Sequence, residues 1–67
     1  MSVARITEIS ATSSVGFEDA IKAGIDRANK TLRNVKGAWV KEHQVDIEDG
    51  KISQYRVNML ITFVLDD

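Results

Sequence analysis

From Tyr55 to Leu65 every second residue is apolar: Tyr55, Val57, Met59, Ile61, Phe63 and Leu65. The residues between them are polar at Gln54, Arg56, Asn58 and Thr62 and apolar at Leu60 and Val64. Alternation of this length, rich in β-branched and aromatic side chains, predicts a long strand with one buried face. Leu60 and Val64 imply that its second face is covered as well. Val3 to Ile9 predicts a shorter first strand, and the small polar run Ser10 to Ser14 a turn into a helix capped by Ser14. The period then changes. Phe17, Ala20, Ile21, Gly24, Ile25, Ala28 and Leu32 form an i, i+3, i+4, i+7 stripe, predicting an amphipathic helix over 15–34. Glu18 and Asp19 suit its N-terminal dipole, and Lys30 and Arg33 its C-terminal one. Gly24, on the apolar stripe, points to close approach of helix and sheet, and Asn34 and Gly37 bracket the exit.

Ala38 to Glu48 predicts a further strand, joined to the last by an Asp49-Gly50 turn. A two-residue type I′ loop needs positive φ at both central positions, which Asp-Gly tolerates. A regular ladder from that turn pairs Glu48 with Lys51, Ile47 with Ile52, Val45 with Gln54, His43 with Arg56, Lys41 with Asn58 and Trp39 with Leu60. Ala38, Val40 and Gln44 then face the helix. Trp39, Lys41, His43, Val45 and Ile47 share the reverse face with Leu60, Asn58, Arg56, Gln54 and Ile52. The fold class expected is α+β: β-α-β-β, with the last strand central in a three-stranded antiparallel sheet. The reverse face mixes aromatic, aliphatic and hydrogen-bonding groups, as an interface or ligand site does.

Composition narrows the function. The 67 residues make one expected domain, 1–67, near the lower size for independent folding. With no cysteine and one histidine, neither a disulfide nor a zinc site is expected, so oligomerisation is the remaining support for a small core. A net charge of −1, with nine Lys and Arg spread among ten acids, argues against a nucleic-acid partner. No apolar run approaches the roughly 18–20 residues of a membrane span. With no charged-then-apolar leader, a cytoplasmic location is the expectation.

In order and spacing the chain resembles the dodecins, a family of small flavin-binding proteins. The resemblance is carried by the first strand running into Ala11-Thr12-Ser13, by Gly16-Phe17-Glu18-Asp19-Ala20-Ile21 and by Arg27-Ala28-Asn29-Lys30-Thr31-Leu32. It continues through Val40-Lys41-Glu42, Tyr55-Arg56-Val57 and Thr62-Phe63-Val64-Leu65. No single motif is a fingerprint; order, spacing and length together are specific. The resemblance implies a sheet partly wrapping its helix, assembly of protomers through trimers and two-fold contacts into a hollow dodecamer, and flavin, riboflavin or FMN, held between subunits by stacking tryptophans. It implies storage and photochemical quenching, not turnover. The family's stacking tryptophan falls on Gly37 and its ring-edge glutamine on Arg56, so both signature positions differ here. Trp39 lies two positions on, on the same strand face and about 7 Å along.

The candidate ligand residues are therefore Trp39 as an aromatic platform, Arg56 and His43 as a pair for an anionic ligand, a phosphate or carboxylate, and Gly37. Against these stand an interface anchor for Trp39 and an interface hydrogen-bond pair for Arg56 and His43. Glu42, Gln44, Asp46, Glu48 and Asp49 alternate along a strand and read as solvated or salt-bridged surface, not a calcium loop. Ser13 and Ser14 have no base placed to activate them. The expectation is a non-enzymatic homo-oligomer that sequesters a small ligand. The alternative is a shell of the same fold with a degenerate flavin site, serving another ligand or ion, or structure alone.

Overall fold

The computed structural model describes residues 3–65. Strand β1 (Ala4–Ser13) leads into helix α1 (Phe17–Thr31), then strands β2 (Val35–Glu48) and β3 (Lys51–Val64). The sheet order is β1-β3-β2, with β3 central and antiparallel to both neighbours. This is the β-α-β-β architecture expected from the alternating and helical periods.

The helix lies on the face of β3 that carries Val57, Met59 and Ile61, all fully buried. Burying side chains of this size contributes about 1.5–3 kcal/mol each. Ala20, Gly24 and Ala28 form the helix's buried line, while Phe17, Ile21, Ile25 and Leu32 are half-buried. Small residues on that line let the axis come down onto the sheet. A Cβ on Gly24 would collide with the Met59 Cε and lie 3.2 Å from the Ala11 Cβ.

Strand β1 is longer than its composition suggests. Ser10 to Ser13 form strand instead of a turn, pairing with Asn58 to Tyr55 on β3. Ladder hydrogen bonds outweigh the weak strand preference of small polar residues, and Ala11 is the size the helix permits. The turn follows at 14–16, and Ser14 does not cap the helix. The N-cap position is Gly16, with no side-chain cap, while the buried Ser13 Oγ accepts hydrogen bonds from the backbone N–H of Val15 (2.9 Å) and Gly16 (3.5 Å). The same hydroxyl donates to Asp19 Oδ2 at 2.6 Å, tying strand end to first helical turn.

At the other end α1 stops at Thr31, three residues before the expected limit, with Leu32 already extended. Asn34, at φ 60°, makes the left-handed reversal, and its carbonyl accepts from the Val64 N–H at 3.1 Å. Gly37 is an ordinary strand residue, and β2 starts at Val35.

Asp49 and Gly50 have φ of 52° and 76°, the type I′ combination, and Glu48 pairs with Lys51 and Ile47 with Ile52. Beyond that the regular ladder fails. Ser53 on β3 and Lys41 and Lys36 on β2 are extra residues, each placed where the register shifts. Between the first two bulges the pairs are Asp46 with Gln54, Val45 with Tyr55, Gln44 with Arg56, His43 with Val57 and Glu42 with Asn58. The expected Val45–Gln54, His43–Arg56 and Lys41–Asn58 pairs are therefore corrected by one residue. A one-residue slip exchanges faces. Val45 and His43 join the helix side, and Gln44 leaves it. The Lys41 bulge then restores the expected Trp39–Leu60 pair.

Candidate functional site

The candidate site is the sheet face that α1 leaves uncovered. On β3, the residues alternating with the buried Val57, Met59 and Ile61 are Arg56, Asn58, Leu60 and Thr62. Their partners put Trp39 opposite Leu60, Glu42 opposite Asn58, Gln44 opposite Arg56 and Gly37 opposite Thr62. On the far side β1 contributes Ile6, Glu8, Ser10 and Thr12.

One end of this face is apolar. Trp39 is 48% exposed, beside Leu60, and Ile6 next to Thr62 is 55% exposed. An indole half in water presents a ring face without having to leave a packed core. A Cβ on Gly37 would meet nothing within 4 Å, so the space next to Trp39 is open.

The other end is a set of polar contacts. Asn58 Nδ2 donates to Glu42 Oε1 at 3.1 Å, while Lys41 Nζ reaches back to within 3.4 Å of Glu8 Oε1, in the row of Leu60 and Trp39. Arg56 donates from an Nη to Asp46 Oδ2 at 3.1 Å, with each side chain 34% exposed. Glu42 and Asp46 are thus engaged with other side chains. Among the described residues, no three His, Asp or Glu side chains cluster so as to hold a metal ion.

The expected site residues separate into two groups. Trp39, Gly37 and Arg56 share the uncovered face. His43 does not face Arg56: it pairs with Val57 on the helix side, where its ring meets Phe17 edge-on, centroids 4.7 Å apart. Phe17 also meets Tyr55 edge-on at 5.1 Å. Gln44 and Asp46 were missed as neighbours of Arg56. A signal for them exists in the spacing. Val40 and Val45 are five residues apart, so both can face the helix only if a residue is bulged out between them.

A separate groove of about 560 Å³ runs between β1 and the flank of α1, lined by Ile9, Ala11, Gly24, Arg27, Ala28 and Leu32 among others. It opens along the β1 edge, where Ser10 and Thr12 also line it, and Trp39 is not part of its wall.

The chain resembles proteins of one family throughout its length. The sequence model of the family described as Dodecin matches residues 3–66. A dodecin of Thermus thermophilus is 37% identical over 60 residues, covering 90% of this chain and 87% of that one. Dodecin from Streptomyces davaonensis superposes with a TM-score of 0.94 at 38% identity, covering 98% of this chain and 97% of the other. Dodecin from Streptomyces coelicolor does so with a TM-score of 0.94 at 30% identity, over 98% and 94%.

Proposed function

The chain belongs to the dodecin family, and from that premise we propose that it is a non-enzymatic, homo-oligomeric protein that sequesters a flavin, riboflavin or FMN, at contacts between subunits. The unit is a single domain, 1–67, acting in the cytoplasm as a closed dodecamer built from trimers, with neither nucleic acid nor membrane as partner.

The observation that carries this reading is the half-exposed Trp39 on a sheet face with no covering element of its own. Stacking a planar heterocycle on an exposed indole adds about 0.5–1.5 kcal/mol beyond burial. A two-fold contact brings two such faces together and doubles the platform. Arg56, its charge balanced by Asp46, offers planar N–H groups to a ring edge or a phosphate. His43 contributes from behind, holding Phe17 and the start of the helix. The Ser13 hydroxyl is committed to the turn and to Asp19 and is not free to act as a nucleophile.

The shape of the protomer supports assembly. Its Cα radius of gyration is 13.8 Å, with extents of 51 × 19 × 14 Å. A compact chain of this length would have a radius near ~11 Å. The excess comes from long strands that outrun the helix, and their surplus surface needs neighbours.

A second reading is favoured by one feature, the open space at Gly37 where the resemblance puts a stacking tryptophan. On that reading the shell assembles and its flavin site is degenerate. Titration of riboflavin and FMN fluorescence, with sedimentation velocity on the same samples, separates the two. Saturable quenching by the assembled protein, lost with Trp39→Ala, supports flavin storage. Assembly without quenching supports the degenerate shell. A folded, stable monomer at micromolar concentration overturns both.

A further inference from the structure

Between the bulges at Ser53 and Lys41, the uncovered face holds a polar quartet: Gln44 and Asp46 on β2, Arg56 and Gln54 on β3. Arg56 stands opposite Gln44 and reaches diagonally to Asp46. That contact neutralises the guanidinium and turns it towards the hairpin, leaving further N–H groups free to donate. Gln44 is exposed, and its side chain makes no hydrogen bond among the described residues. Its amide offers a donor and an acceptor side by side in one plane. Arg56 offers donors only, and Asp46 is already occupied.

The ligand chemistry that fits such a pair is an imide, an N–H flanked by two carbonyl groups. The Gln44 carbonyl accepts from the imide N–H. Its NH₂ group donates to one flanking carbonyl, and an outward N–H of Arg56 donates to the other. All three positions are matched without a net charge. Trp39, opposite Leu60, lies four residues along β3 from Arg56, about 13 Å away along the strand. Amide and indole therefore stand at two ends of one patch, available to a planar ring from the same protomer or a two-fold-related one.

Resting on the flavin reading above, we infer that Gln44 is the residue that selects for the imide edge of the isoalloxazine, with Arg56 as its second donor. The register slip created this arrangement: on a regular ladder Gln44 would face the helix, out of reach of any ligand on this side.

The test compares riboflavin with N3-methylriboflavin, which lacks the imide N–H, on wild type, Gln44→Leu and Gln54→Leu. Wild type should bind riboflavin at least about tenfold more tightly than the methylated compound. Gln44→Leu should weaken riboflavin by about tenfold and abolish the preference. Gln54→Leu should change neither affinity. Sedimentation of each variant checks that assembly is intact. Equal wild-type affinity for the two compounds overturns the inference, as does a preference that survives Gln44→Leu or is lost instead with Gln54→Leu. Failure of wild type to bind either compound removes the flavin reading itself, and this assignment with it.

Discussion

His43 and Phe17 meet edge to face, ring centroids 4.7 Å apart and planes at 78°, so that a residue of β2 clamps the first residue of α1. Tyr55 closes the same ring from β3 at 5.1 Å. The start of the helix is thus held by an aromatic triplet together with the Ser13–Asp19 hydrogen bond.

Phe17→Ala should therefore destabilise the fold by about 3 kcal/mol, at the low end for a large aromatic because Phe17 is only half-buried. His43→Ala should cost about 1 kcal/mol, the scale of one aromatic contact. Urea unfolding at fixed protein concentration measures both. A His43→Ala variant as stable as wild type would show that the clamp contributes nothing.

Ser13→Ala removes a hydroxyl that accepts from two backbone N–H groups and donates to Asp19. The loss should be about 1–2 kcal/mol, the usual cost of deleting a helix-entry hydroxyl. Ser14→Ala should be close to neutral, since that residue is exposed and does not cap. Thermal unfolding of the two variants side by side checks the contrast.

Gly24→Ala sets a helix-propensity gain of up to ~1 kcal/mol against overpacking that costs about 1–3 kcal/mol. The new methyl group must displace the end of Met59, a flexible side chain but fully buried, and crowd Ala11. Net destabilisation of about 1 kcal/mol is expected, and Gly24→Val should cost about 3 kcal/mol because branching removes any easy escape. Adding Met59→Leu to Gly24→Ala, which takes away the colliding Cε, should recover part of the loss in the same urea assay.

Gly37→Trp fills open space on an ordinary strand backbone and should leave stability within about 0.5 kcal/mol. If the face stacks flavin, the added indole should tighten riboflavin binding by about tenfold, the equivalent of one good aromatic contact. Fluorescence titration of the variant against wild type reads the change. Unchanged affinity in a folded, assembled variant would mean that this part of the face is not where the ring lies.

Much of this architecture could be read from residue types alone. The alternation from Tyr55 to Phe63 defined the buried face of β3, and Asp49-Gly50 defined the turn, because both signals are local. Gly24 on an apolar stripe pointed to the helix–sheet contact. The strand character of Ser10 to Ser13 was hidden, since it depends on pairing with distant β3 residues and not on local preference. The site was legible only in part. Trp39 kept its face because the bulges at Ser53 and Lys41 cancel before reaching it, whereas His43 and Gln44, lying between them, exchanged sides. Small residues, lysines and serines accommodate a bulge but do not announce one; the five-residue gap from Val40 to Val45 was the sole trace.

The two lysine bulges bear on which contacts the edge of this sheet accepts. β2 forms one margin of the sheet, and a smooth margin invites another strand to zip on, chain after chain, into a fibre. Lys36 and Lys41 are extra residues that interrupt the even run of that margin twice. Strand-to-strand stacking without end is thereby discouraged at this border. An isologous contact through the sheet face, by contrast, pairs two copies and stops there.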